Sequence, residues 1–159
     1  MAVSSYWYLN GIKNLLNTNV NMANVGNFRV ALLNGSSYSI TNSNLCNNVY
    51  WSELSSAEIA GTNYTAAGAG LTLGSSEVDV DNAVANHCAY IGTGVTNTAW
   101  TSATFTARYA IIYNYTGTNT TSSLLGVVDF GQNETCSNGS FTIDWNDTAI
   151  FKITPAILA

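Results

Sequence analysis

TFTARYAIIY, Thr104 to Tyr113, is the stretch that decides the fold class. Phe105, Ala107, Tyr109, Ile111 and Tyr113 fall on one side of an extended chain, and Thr104, Thr106 and Arg108 on the other. Alternation with period two is what a strand with one buried and one wet face requires. FTIDW (Phe141–Trp145) repeats the pattern, with Phe141, Ile143 and Trp145 inward and Thr142 and Asp144 outward. LLGVVDFG (Leu124–Gly131) lies between them as a middle strand.

Further strands are expected upstream. FRVALL (Phe28–Leu33) forms the first, closed by Asn34-Gly35, residues that accept positive φ cheaply. EVDVD (Glu77–Asp81) reads as an exposed strand, VANHCAYIG (Val84–Gly92) as another, and IFKIT (Ile150–Thr154) as the last, before the lone proline, Pro155. Residues 6–16, YWYLNGIKNLL, bring Tyr8, Ile12, Leu15 and Leu16 near helical spacing, so a short helix is expected there, weakened by Gly11. WSELSSAEI (Trp51–Ile59) suits a helical turn or a bent strand equally, and Ser36–Asn48 reads as irregular. The expected fold is an all-β antiparallel β-sandwich, jelly-roll-like or barrel-like in closure, with a short N-terminal helix. Residues 1–27 form an N-terminal arm and residues 28–159 a single β-sandwich domain.

Charge is where the composition departs from the ordinary. Apolar residues make up 47% of the 159-residue chain, a normal share. Only 8% of residues are charged, against about 25% in a typical soluble domain. Asn, Ser and Thr supply about a third of the chain, so its wet surface is made of neutral amides and hydroxyls. Such a surface does not repel its neighbours and tolerates close packing in a large assembly. The four basic residues, Lys13, Arg29, Arg108 and Lys152, are scattered within a net charge of −5. They cannot form the phosphate-contacting footprint of a nucleic-acid binder, nor a patch that draws the chain to an anionic membrane. No apolar run approaches the ~20 residues that cross a bilayer, and the N-terminus lacks the pattern of a signal peptide, so synthesis and retention in a cytoplasm are expected.

No motif announces chemistry. His87 is the only histidine, and on a strand it points away from Cys88, so the pair cannot grip a metal together. Cys46, Cys88 and Cys136 are odd in number and widely spaced, which suits buried free thiols. Glu77, Asp79 and Asp81 lie about 7 Å apart at strand spacing. They read as a solvated acidic face, although a row of carboxylates can attract a hard cation. Glu53, Glu58, Asp129, Glu134, Asp144 and Asp147 offer carboxylates for sugar hydrolysis, but no spacing selects two of them. Seven Asn-x-Ser/Thr acceptors, at Asn34, Asn63, Asn114, Asn119, Asn133, Asn138 and Asn146, are what this composition produces by itself. Trp7, Trp51, Trp100 and Trp145 could together form a sugar-stacking platform, with Trp145 assigned to the core and Trp7 the candidate exposed anchor. No catalytic, cofactor-binding or metal-binding residue is assigned, and no cofactor is expected.

TARYAIIYN (Thr106–Asn114), followed by TGTNTTSSLLGVVDFG (Thr116–Gly131) and SNGSFTIDWN (Ser137–Asn146), resembles small virion structural proteins of tailed bacteriophages. The resemblance continues through FRVALLNGSSYS (Phe28–Ser39) and AGTNYTAAGAGLTL (Ala60–Leu73), and departs in the Asn-rich stretches Asn14–Asn27 and Asn42–Asn48. It implies a non-enzymatic virion component present in many copies. The favoured role is a decoration or cement protein on the capsid exterior, binding the major capsid protein across adjacent capsomers. The alternative is a tail or fibre component that binds host-surface glycans. Many weak repeated contacts suffice on a lattice, and a closed homo-oligomer, a trimer above all, suits the role. The expected partner-binding residues lie at the chain ends, where a compact domain covers apolar groups least: Tyr6, Trp7, Tyr8, Ile157 and Leu158.

Overall fold

The computed structural model describes residues 3–21, 25–71, 73, 78–81, 88–91, 95–145 and 150–153. The fold is mostly β and antiparallel, with a short helix near the N-terminus, as the alternating segments predict. Strands β1 (Ser4–Trp7), β2 (Phe28–Leu33), β3 (Ala69–Gly70), β6 (Thr98–Asn114) and β7 (Ser123–Ile143) form one five-stranded sheet in the order β1-β7-β6-β2-β3. Strands β4 (Val78–Asp81), β5 (Cys88–Ile91) and β8 (Phe151–Ile153) form a second sheet in the order β4-β5-β8. Helix α1 spans Leu9–Leu16, and a second helix, α2, spans Asn42–Asn47.

The hairpin β6–β7 is the spine of the molecule. LLGVVDFG and FTI, expected as separate strands, are two parts of the single strand β7, which pairs with β6 from Asn114↔Ser123 to Thr98↔Ile143. The expectation that Phe105, Ala107, Tyr109, Ile111 and Tyr113 share a face is wrong. Phe105 and Ala107 lie in one core with Ala110 and Ile112, whereas Tyr109, Ile111 and Tyr113 lie in another. A register irregularity separates Ala107, which faces Glu134, from Tyr109, which faces Asp129. Arg108 thus stands opposite the four residues 130–133 of β7, a wide bulge in which Gly131 has φ +82°. Such a bulge breaks period-two alternation, so side chains beyond it exchange faces.

Both faces of the sheet are therefore covered beside β2. Val30 and Leu32 join the first core, and Ala31 and Leu33 the second, which explains why FRVALL and YAIIY are continuous apolar runs. On the first face lie Val20, Leu71, Val95, Trp145 and Phe151 of β8. The Trp145 indole N–H donates to Thr98 Oγ1 at 3.0 Å, fixing the open end of the hairpin. On the second face the cover is irregular chain rather than strand. WSELSSAEI resolves into two 3-10 turns, Trp51–Glu53 and Ser55–Ala57, which deliver Trp51, Leu54 and Ala57 to the core. Trp51 stacks on Tyr113 with ring centroids 5.0 Å apart and an interplanar angle of 10°.

Other expectations need correction. Ser36–Asn48 is not wholly irregular, because Thr41 Oγ1 accepts the Asn44 N–H at 3.1 Å and so caps α2. The turn after β2 uses no positive φ at Gly35; Asn34 Oδ1 accepts the Ser36 N–H at 2.9 Å instead. Cys136 is a buried free thiol, but Cys46 is exposed on α2. The side chains of Asp79, Asp81, Cys88 and Lys152, and all of Glu77, His87, Asp147, Ile157 and Leu158, lie outside the described residues. Within the stretch expected as an arm, Tyr8 and Val20 are buried in the two cores.

Two substitutions test this packing. Trp51→Ala removes a fully buried indole and its stacking partner's contact, and should lower unfolding free energy by about 3–5 kcal/mol in urea denaturation. Gly11→Ala adds a methyl group whose carbon would stand 2.5 Å from Leu124 O and 2.9 Å from Leu125 Cα. Alanine favours an isolated helix by about 1 kcal/mol, yet these obstacles are backbone and cannot swing aside. A net loss of about 1–3 kcal/mol is expected from the same measurement.

Candidate functional site

Tyr6, Trp7 and Tyr8 were expected to carry partner contacts, and their geometry separates those that can from those that cannot. The helix predicted over 6–16 begins only at Leu9, and Ser4–Trp7 are extended. Pairing with β7, from Ser4↔Asp129 to Trp7↔Gly126, satisfies a backbone edge that a helix would leave open. On this strand Trp7 turns to the first face and stacks on Phe151, with centroids 4.0 Å apart. It packs on its own chain and is half-buried. Tyr6 points to the other side and is 44% exposed.

Tyr8 is fully buried. Its N–H donates to Leu125 O at 2.9 Å, and its hydroxyl shares a hydrogen bond of 2.7 Å with the Tyr38 hydroxyl. Burial pushes both phenols above their ordinary pKa. Tyr8 is therefore a core residue, and its expected role as a surface contact is corrected.

Helix α1 docks through Gly11 as well as through Leu15 of the expected apolar stripe, which packs on the first core. With no side chain at Gly11 the helix backbone presses directly on Leu124 and Leu125. Asn14 Nδ2 donates to Ser123 Oγ at 3.1 Å, and Asn10 Nδ2 to Cys46 O at 2.9 Å, joining α1 to β7 and α2. Leu9 and Leu16 are left on the outside, Leu16 79% exposed. Among the described residues, the exposed large apolar side chains are Val3, Tyr6, Leu9, Leu16 and Tyr50. Four of these five belong to residues 3–16. The fifth, Tyr50, bridges to Ser123 at the start of β7, the residue that Asn14 also reaches. Sequence reasoning missed Leu9, Leu16 and Tyr50: Leu16 was assigned to the inward stripe, and nothing local marks Leu9 or Tyr50 as exposed.

The tryptophan platform does not form. Trp51, Trp100 and Trp145 are buried and Trp7 is stacked on Phe151. Glu53, Glu58, Asp129 and Glu134 are engaged with separate partners. Glu53 accepts from the N–H groups of Val49 and Tyr50, Asp129 pairs with Arg108 at 3.2 Å, and Glu134 accepts from Gln132 at 2.8 Å. Asp144 is exposed. No group of three or more His, Cys, Asp or Glu side chains converges among the described residues. No helix among them is long and apolar enough to cross a membrane.

Glu58 has the most perturbed carboxyl environment among the described residues. Burial holds its pKa above the ordinary carboxylate range, opposed by the Tyr64 hydroxyl donating at 2.8 Å and by the N–H groups of Ala67 and Gly68. Tyr64 in turn accepts the Leu32 N–H at 2.9 Å, so the group ties the loop before β3 to β2. No family model, no curated protein and no solved structure matches the chain.

A raised folded-state pKa means that the folded protein holds the Glu58 proton more tightly than the unfolded chain does. The resulting stabilisation is fully present below the unfolded pKa and is lost as pH rises through the folded one. Glu58→Gln should match the wild type in acid and become the more stable of the two at neutral pH, read as the difference in urea midpoint across a pH series.

Proposed function

We propose that the protein is a non-enzymatic structural component of a tailed-bacteriophage virion, seated on the capsid exterior as a decoration protein. The observation that carries this reading is the clustering of exposed apolar side chains on residues 3–16 of a chain whose surface is otherwise almost uncharged. A patch of Tyr6, Leu9 and Leu16 on a rigid base is what a contact element needs: the apolar groups are presented, and ordering them costs little on binding. The base is rigid because β1 is laddered to β7 and α1 is pressed on its backbone.

Low charge density supports the same reading. A shell-bound protein meets copies of itself and of the major capsid protein at high local density, where like charges would repel. Neutral amides and hydroxyls hydrogen-bond to any protein surface without imposing a sign. A modest contact repeated over a lattice holds by multivalency, and self-association into a closed trimer adds to it.

The test is occupancy of shells. Leu9→Gln with Leu16→Gln changes only exposed side chains, so stability should stay within about 0.5 kcal/mol. Losing the burial of one leucine already corresponds to about tenfold or more in affinity. Binding of the double variant to undecorated shells should fall by at least that factor in a sedimentation assay. Wild-type occupancy by the variant, or absence of the chain from purified particles by mass spectrometry, would refute the proposal.

A further inference from the structure

One concave region of the surface lies along β7 and touches the N-terminal segment only at Val3. A trough of about 440 Å³ runs along β7, lined by Val3, Phe130, Gln132, Glu134, Cys136 and Phe141, with Thr135, Ser140 and Thr142 at its rim. Its volume lies within the range of small-molecule sites, about 300–1,000 Å³. We propose that this trough binds a neutral sugar unit of a surface glycan.

The bulge in β7 builds the site. Asp129 accepts from Arg108 Nε at 3.2 Å and Nη2 at 3.3 Å, and its Oδ1 also accepts the Gly131 N–H at 2.8 Å. These bonds fix where the strand leaves its ladder, and the bulge then sets Gln132 and Glu134 into the trough beside two aromatic rings. Phe130 and Phe141 stand 5.8 Å apart at 61°, and Phe141 is backed by Phe105 at 5.2 Å. Both rings of the lining are half-buried, so each keeps one part in the core and offers another to the trough.

The polar groups are placed to receive hydroxyls. Gln132 Nε2 donates to Glu134 Oε1 at 2.8 Å, which orders both side chains. Each retains further hydrogen-bonding positions, since an amide has two donors and two lone pairs and a carboxylate about four acceptor sites. Ser140 Oγ and Thr142 Oγ1, 3.4 Å apart, supply hydroxyls at the rim. A pyranose ring has an apolar C–H face that lies against aromatic carbon and equatorial hydroxyls that fit an amide–carboxylate pair. An anionic sugar does not fit, because the lining contains Glu134 and no cation. Glu134 is also the only carboxylate of the lining, so the two carboxyl groups of glycoside cleavage are not assembled there.

A docked strand is the competing occupant of such an edge. The backbone disfavours it. Gly131 at φ +82° and Asn138 at φ +49° interrupt β7 on either side of Glu134–Ser137, leaving a short regular stretch between two bulges. Bulged edges resist strand addition. Side chains rather than a backbone ladder therefore define what the trough accepts. The assignment is independent of where the protein sits in a particle.

The intact ¹⁵N-labelled chain, titrated with maltose, lactose and chitobiose at millimolar concentrations and with galacturonic acid as the anionic control, tests it by amide shifts. At least one neutral disaccharide should give saturable shifts centred on residues 130–134 and 140–142, and galacturonic acid none. Gln132→Ala and Glu134→Ala, both on the surface, should each weaken binding about tenfold with an unchanged Tm. The Leu9→Gln, Leu16→Gln variant should bind sugar as the wild type does, which separates this site from the shell contact. Silence with all three disaccharides, equal response to galacturonic acid, or full binding by both trough variants would overturn the proposal. So would sugar-independent shifts at residues 139–143 that grow with protein concentration, since those mark strand docking between copies.

Discussion

The change of parity between Ala107 and Tyr109 is the constraint from which the architecture follows. On one side of it, Trp100, Ala103, Phe105 and Ala107 serve a single core. On the other, Ala110 and Ile112 continue that core while Tyr109, Ile111 and Tyr113 open a second. A strand without the irregularity would put Tyr109, Ile111 and Tyr113 on the face of Phe105, and Trp51 would lose the Tyr113 ring on which it stacks. The same bulge sets the Arg108–Asp129 pair and re-aims β7. The core of the hairpin and the shape of its outer edge therefore have one cause.

Absent side chains matter as much as present ones. Gly11 allows α1 to approach β7 backbone to backbone, and the cost appears outside, where Leu9 and Leu16 find no place in the core. Gly126 plays the same part on the first face, where an added carbon would stand 2.7 Å from the Phe151 ring that Trp7 stacks upon. Close approach at these positions fixes which large residues go in and which stay out. The exposure of Leu9 and Leu16 is thus a by-product of tight docking.

How much of this was legible in the sequence depended on how local each cause is. FRVALL was readable to the residue because an apolar run closed by Asn34-Gly35 needs no distant information. The inward set Phe141, Ile143 and Trp145 was readable for the same reason. Residues 130–134, FGQNE, look like a turn, but β6 continues alongside them, so β7 continues too. Parity could not be read from β6 alone, since the extra residues of the bulge sit on its partner. Four of the six residues of helix α2 are Asn or Ser, poor helix formers, and its signal was the Thr41 cap. The arm failed hardest: YWYLNGIKNLL has a local helical period, yet Tyr6 and Trp7 are extended because β7 offers them hydrogen bonds. Of the candidate site, Tyr6 was legible; the burial of Tyr8 depends on Tyr38, a partner that no spacing reveals.

The pairing of Ser4 with Asp129 carries a consequence for how the molecule is made. Translation delivers β1 and Tyr8 well before β7, the strand that receives them. Until then the first segment is an apolar ribbon with an unsatisfied backbone, and the nascent chain must tolerate it. Closure of β1 onto β7 is a long-range event, slow in the way that distant pairings are. A chaperone that shields β1 would act during synthesis, before the sheet exists.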